Sequence, residues 1–216
     1  MKNIVGFILS YVFVALIIFL AKIFEKKGKE ASRKFIHIML SNWWFIAMYF
    51  FDNVIWASIV PFTFIIINYV SYKKNIISVM ERNNQEKDGL GTVYYAISLF
   101  LIAIFTFGII NNPAVGLCAI LIMGYGDGLA AVIGKKLKSK SFKIGNSTKT
   151  IAGSTVMLFI SFAIVAIFFA SIGITFWWIK SLVIAIIVTI IEAVGIKGTD
   201  NIFVPVLACL LISTMV

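Results

Sequence analysis

Residues 113–150 read PAVGLCAILIMGYGDGLAAVIGKKLKSKSFKIGNSTKT. The first 21 of these carry no charge except Asp127, and the next 17 carry six lysines. A run of that length is enough to cross a bilayer as a helix, which takes about 20 residues. The change from apolar to basic marks where the chain leaves lipid. Reading outward in both directions, the same alternation repeats.

Apolar runs occur at 4–21, 35–51, 54–70, 93–110, 113–133, 151–172, 177–191 and 202–216. Each is expected to be helical, because a helix satisfies its own backbone groups in lipid. The last has only 15 residues and suits a partial span. The whole chain of 216 residues is 61% hydrophobic and 13% charged, with a mean hydropathy of +1.03. A soluble domain of that length has too little interior for so much apolar side chain. The expected fold class is all-α: a polytopic integral membrane bundle of about eight transmembrane helices, with residues 1–216 forming one domain.

Seventeen of the 19 Lys and Arg residues fall in every second gap between the runs. Gap 22–34 holds six, gap 71–92 holds four, gap 134–150 holds six, and Lys197 stands in the gap before the last run. The alternate gaps hold only Lys2 and Lys180. Positive charge stays on the cytoplasmic side during insertion, so the basic face is expected to be cytoplasmic and both termini outside. The expected setting is a cell membrane, most simply a bacterial one. The first run is long and leads into basic residues, so it reads as a retained anchor. The net charge of +10 is confined to one face. That points to anionic lipid or a phosphorylated small molecule and away from nucleic acid. Cys118 and Cys209 both lie in apolar runs, which excludes a cysteine zinc site, and the single histidine excludes a His-rich cluster.

Polar constellations gather at that basic face. Arg33, Lys34 and His37 open the second run, with His37 one helical turn from both cations. They read either as one cationic patch with a neutral base, or as an interfacial anchor. Asp127 sits among Gly124, Gly126, Gly128 and Gly134. A carboxylate inside a spanning helix costs about 2.5–3.5 kcal/mol on insertion scales, so it needs a cation, a wet cavity or a metal. The glycines permit close approach of a phosphate, or simply of another helix.

Lys149, Thr150, Gly153 and Ser154 lie where the Lys-rich loop enters the sixth run. A helix start rich in hydroxyls suits an anion, and it equally suits capping by Ser147 or Thr148. It is not a P-loop, because the Gly-Lys-Ser/Thr order is absent and no strand is expected before it. A further stretch, Glu192 to Pro205, sets Asp200 and Asn201 ahead of Pro205. They offer hard oxygen ligands for Mg²⁺ or form an Asx turn. A weaker stretch, Lys87 to Tyr95, reads as a substrate lip or a polar loop end.

Taken together, these residues resemble the CTP-dependent polyprenol kinase family, which includes dolichol, phytol and farnesol kinases. The likeness runs from Arg33 to Pro205 in the family's motif order. It rests on Arg-Lys-x-x-His at 33–37, Gly-x-Gly-Thr-x-Tyr-Tyr at 89–95 and Gly-Asp-Gly-x-Ala-x-x-x-Gly at 126–134. Lys-Thr-x-Ala-Gly-Ser at 149–154 and Asp-Asn-x-x-x-Pro at 200–205 complete it. Ala152 stands where dolichol kinases carry Glu, and Ala131 where phytol kinases often carry Asp. A second glycine expected after Gly134 is replaced by the stretch at 135–138.

The resemblance implies transfer of the γ-phosphoryl group of CTP to a membrane-dissolved isoprenoid alcohol. It implies Asp127, His37, Arg33, Lys34 and Asp200 as catalytic residues. Nucleotide contacts would come from Gly126, Gly128, Gly134, Lys135, Lys149, Thr150, Gly153 and Ser154. Asp127, Asp200 and Asn201 would hold Mg²⁺. The same pattern is also similar to phosphatidate cytidylyltransferases. A diacylglycerol kinase and a small transporter are further alternatives.

Overall fold

The computed structural model describes residues 1–25, 28–74, 90–137, 139–144, 147–195 and 198–216. Several basic residues of the alternation, Lys26, Lys27, Arg82, Lys87, Lys138 and Lys197, lie outside the described residues, as do Asp88, Gly89, Gly145 and Asn146.

The chain is a helical membrane bundle, as its composition requires. Its helices are α1 (Lys2–Glu25), α2 (Lys29–Ser41), α3 (Trp43–Phe50), α4 (Val54–Lys74), α5 (Gly91–Ala103), α6 (Pro113–Leu121), α7 (Gly128–Lys136), α8 (Ile151–Ser171), α9 (Trp177–Val194) and α10 (Asp200–Ser213). Two π-helical stretches extend them. Ile104–Ile109 continues α5, and Ile122–Asp127 joins α6 to α7. Among the described residues, six continuous helical segments are long and apolar enough to cross a membrane: Lys2–Glu25, Val54–Lys74, Gly91–Ile109, Pro113–Lys136, Ile151–Ser171 and Trp177–Val194.

The other two apolar runs take different forms. The run at 35–51 is built from α2 and α3, separated at Asn42. There the side-chain amide turns back to Met39 O at 3.2 Å, and Tyr125 donates its hydroxyl to Asn42 Oδ1 at 3.1 Å. The last run is the short α10, of 14 residues.

Segment Pro113–Lys136 is the axis of the bundle. Inside its most apolar window 61% is buried, against 28% for α1, α4, α8 and α9, which therefore turn most of their surface outward. Large apolar side chains such as Phe19, Ile55, Phe159 and Ile167 stand exposed on that outer surface, as lipid-facing positions must. Within the core, two tryptophans fill the space between α1, α3 and α6. Trp44 is fully buried and donates its ring N–H to Pro113 O at 2.9 Å. Trp43 donates to Ser10 Oγ at 2.9 Å. Both therefore bury their rings without leaving a polar atom unsatisfied.

Lys22, Lys73 with Lys74, and Lys135 with Lys136 occupy the last turns of α1, α4 and α7. There they face the negative ends of the helix dipoles. The third basic gap contains the one sheet found among the described residues. Strands β1 (Ser141–Ile144) and β2 (Ser147–Thr150) pair antiparallel, with Phe142 opposite Lys149. The expectation that no strand precedes the sixth run is thus corrected: β2 runs directly into α8. The sequence order still excludes a P-loop, and the strand belongs to a hairpin.

Candidate active site

α2 is pressed against the central segment through two glycines. A Cβ on Gly124 would collide with Ser41, and one on Gly128 would collide with Ile38. This close approach brings the preceding turn of α2 to Asp127. Lys34 Nζ donates to Asp127 Oδ2 at 2.8 Å, and His37 Nε2 lies 3.3 Å from the same oxygen. The π-helical stretch ends at Asp127. Its wider turn sets the carboxylate's direction, and such turns often occur at functional sites.

The histidine's hydrogen can be placed from its neighbours. His37 Nε2 also lies 3.1 Å from Met123 O. A carbonyl and a carboxylate can only accept, so Nε2 carries the hydrogen and donates, leaving Nδ1 as the lone-pair nitrogen of the neutral ring. Tyr95 buttresses the ring edge-on at 4.9 Å and donates its hydroxyl to His37 O at 3.1 Å. Arg33 faces elsewhere: it grips Glu30 with a forked pair of 2.8 Å hydrogen bonds. Lys135 approaches the same Glu30 at 3.7 Å. The cationic patch read from 33–37 is therefore divided, with Lys34 and His37 on Asp127 and Arg33 on Glu30.

A second ion-pair centre comes from three further elements. Lys149, at the end of β2, pairs with Glu192 near the end of α9, and lies 3.8 Å from Asp200 Oδ2 at the start of α10. Burial alone would lower the Lys149 pKa. The Glu192, Asp200 and Asp127 carboxylates override it and hold the ammonium above the usual lysine value. One carboxylate oxygen each from Asp127, Glu192 and Asp200 lies within 4.8 Å of the others. All three donors are hard oxygens, the set that suits Mg²⁺ or a similar divalent cation. Three carboxylates face two ammonium groups, leaving one net negative charge when all are ionised.

These groups line one cavity of about 410 Å³. Asp127, His37, Arg33, Lys34, Asp200, Asn201, Lys135, Lys149, Thr150, Gly153 and Ser154 all border it, so most of the sequence-selected residues share one space. Gly126, Gly128 and Gly134 do not. Gly126 makes room for Met157, whose sulfur would lie 2.7 Å from an added Cβ, and Gly134 lets α7 meet Gly153 and Thr150 of the next helix. These three glycines serve helix packing.

The start of α8 is largely self-capped. Thr150 Oγ1 accepts from Gly153 N at 3.1 Å, and Ser139 Oγ accepts from Ala152 N at 3.0 Å. Capping therefore falls to Thr150 and Ser139. Ser154 differs: its buried hydroxyl, on the cavity wall, has no hydrogen-bond partner among the described residues. Asn201 borders the cavity as a tether, since its Nδ2 donates to Gly91 O at 2.9 Å. Glu192, which the sequence reading left out of the site, supplies the third carboxylate. Its signal was the one that singled out Asp127, an acid at the end of an apolar run that needs a partner.

Known proteins similar to this chain include the phytol kinase of Synechocystis sp., 29% identical over 189 residues, which cover 82% of this chain and 75% of the relative. A probable chloroplastic phytol kinase of Triticum aestivum is 25% identical over 205 residues, covering 86% of this chain and 67% of the relative. No protein-family model matches the chain, and no solved structure matches it. These relatives support the assignment to the polyprenol and phytol kinase family that the motifs suggested.

Proposed function

We propose that the chain is a membrane-embedded isoprenoid-alcohol kinase, moving the γ-phosphoryl group of CTP to the hydroxyl of a phytol-like or other prenyl alcohol at the cytoplasmic face. The observation that carries this reading is the convergence of Asp127, Glu192 and Asp200 with Lys34, His37 and Lys149 around one cavity. The segments that supply them are remote in sequence. The names of the similar proteins favour an alcohol as acceptor.

Phosphoryl transfer asks an enzyme mainly for positioning and charge neutralisation. Lys135, 71% exposed at the rim, meets the incoming triphosphate. Lys149 and the unpartnered Ser154 hydroxyl take phosphate oxygens deeper in the cavity. Asp127, Glu192 and Asp200 would hold Mg²⁺, which would supply neutralisation of phosphate charge. The alcohol oxygen forms a bond to the γ-phosphorus as the bond to the β-phosphate oxygen breaks, and CDP leaves with that electron pair. The hydroxyl proton passes to Asp200, whose side chain is 17% exposed against 10% for Asp127 and 5% for Glu192, and so lies nearest water. Lys34 fixes Asp127, and the Nε2–H of His37 holds the same carboxylate in line.

The test is incubation of the purified protein with γ-labelled CTP, Mg²⁺ and a panel of prenols and diacylglycerol. Label on a prenol with release of CDP is the expected result. A CDP-lipid with pyrophosphate would identify a cytidylyltransferase instead, and label only on diacylglycerol would replace the acceptor.

A further inference from the structure

An apolar groove lies beside the active site. It is bounded by Val14 and Ile18 of α1, Trp43 of α3, Phe64 of α4, and Ala96 and Leu99 of α5. A small cavity of about 50 Å³, the neck, has walls in common with both spaces. It shares Arg33, His37, Gly91 and Asn201 with the polar cavity, and Leu40, Asn68 and Tyr95 with the groove. Polarity falls along the path, from three carboxylates, past the His37–Tyr95 pair, to a wall of hydrocarbon.

The groove has a closed end and an open side. α1 packs mainly on α2 and α3, and α4 mainly on α5, so α1 and α4 meet only sparingly. Away from the basic end they are clasped. Tyr11 and Thr63 share a 2.6 Å hydrogen bond, and Tyr11 stacks on Phe64 at 5.5 Å. Toward the basic end the slot faces lipid, with Ile67 41% exposed at its lip. The α4 side of the groove runs from Val60 to Asn68. That is eight helical steps, or about 12 Å. Pro61 lies within it, where the missing N–H weakens the helix ladder.

We propose that the slot between α1 and α4 admits the acceptor's isoprenoid tail, and that the groove reads only the part of the tail next to the hydroxyl. This rests on the kinase reading above. With the hydroxyl at the carboxylate cluster, the first carbons follow the neck past Asn68 and Tyr95. The next lie against Trp43, Phe64 and Leu99, and the remainder leaves sideways into the bilayer. The enzyme therefore discriminates branching and saturation near the head and is indifferent to tail length beyond the groove.

Two measurements test this. Ala96, 2% exposed, faces the groove. Ala96→Phe is expected to raise KM for a twenty-carbon prenol by roughly tenfold or more, as a filled apolar pocket rejects its ligand, while KM for a five-carbon prenol changes little. Equal KM changes for the two alcohols, or no change for either, overturn the proposal. Independently of any folding defect, a prenol bearing a diazirine a few carbons beyond its hydroxyl is expected to label wild-type protein at α4 and α5 around Phe64, Ile67 and Leu99. Labelling confined to the outer faces of α8 and α9 overturns it. If the wild type is labelled in the groove but phosphorylates no alcohol, the reaction fails and the groove stands.

Discussion

Replacing Lys34 and Asp127 singly and together separates what this pair does for the fold from what it does for chemistry. Their side chains are 13% and 10% exposed and meet at 2.8 Å. At an effective dielectric of about 20, two unit charges that close attract by about 6 kcal/mol. Desolvation offsets much of this, and breaking a buried pair by removing one partner costs about 3–5 kcal/mol. Lys34→Met is expected at the upper end, because Asp127 is then left beside Glu192 and Asp200 with only His37 in contact. Asp127→Asn is milder, because those same carboxylates still face Lys34. The double variant has no uncompensated charge at the pair and is expected to recover most of the loss. Unfolding in detergent, followed by helical circular dichroism, reads these three values. Turnover should behave differently: all three variants should be inactive, because the double variant restores charge balance without restoring the carboxylate proposed to hold Mg²⁺. A double variant that regains wild-type turnover would make Asp127 merely the partner of Lys34. Single variants of wild-type stability would refute the buried pair.

Glu192→Gln should raise the Mg²⁺ concentration for half-maximal rate by at least about tenfold, the lower range for disturbing a metal site. An unshifted Mg²⁺ titration would remove Glu192 from the ligand set. Asn201→Ala should instead cost about 1 kcal/mol of stability, through the lost bond to Gly91, and shift the Mg²⁺ titration less than Glu192→Gln does. Gly128→Val should destabilise by about 1–3 kcal/mol through overpacking against Ile38. It should lower kcat as well, because α2 carries Lys34 and His37; intact kcat would separate α2 docking from the site. Ser154→Ala should leave the nucleotide-free protein as stable as wild type or more so, since the hydroxyl has no partner to lose. It should also raise the nucleotide KM several-fold, the effect of about 1 kcal/mol; an unchanged KM would argue against a phosphate contact there.

The architecture was legible because lipid and water sort residues coarsely. Apolar runs and basic gaps alternate on a scale set by membrane thickness; seven of the eight runs are continuous helical segments, and six of these are long enough to span. Finer features depend on contacts that no local pattern encodes. The separation of α2 from α3 at Asn42 involves Tyr125, 83 residues away. Glycines 126, 128 and 134 look alike whether they hold a phosphate or a neighbouring helix, and only the positions of Met157, Ile38 and Gly153 decide. The hairpin did leave a trace. Ser141 to Ile144 and Ser147 to Thr150 flank a Gly-Asn pair, a two-residue turn signal. The density of lysine around it made the stretch read as a loop. Glu192 stood in the Glu192–Pro205 stretch without a role of its own, because only the fold turns it toward Lys149.

The shape of the interior bears on the transport alternative. An ion path would have to continue from the acidic cluster to the opposite face. Beyond Asp127 the bundle axis is filled by Ile120, Ile122, Met123, Met157 and Trp44, all fully buried. Two hydroxyls buried in that region are consumed locally: Ser98 donates to Tyr95 O at 2.8 Å and Thr106 to Ile102 O at 2.7 Å, each within its own helical segment. Ser161 Oγ, buried beside Gly126 and Met157, has no hydrogen-bond partner among the described residues. One lone hydroxyl does not make a hydrated path, and a close-packed apolar stretch is a barrier to an ion. The cavity shares walls instead with the smaller spaces at its side, past Tyr95 toward the groove. A polar chamber at the basic end with an apolar space beside it suits a phosphate donor from water meeting an acceptor dissolved in lipid, which is what the proposed prenol kinase needs and a transporter does not.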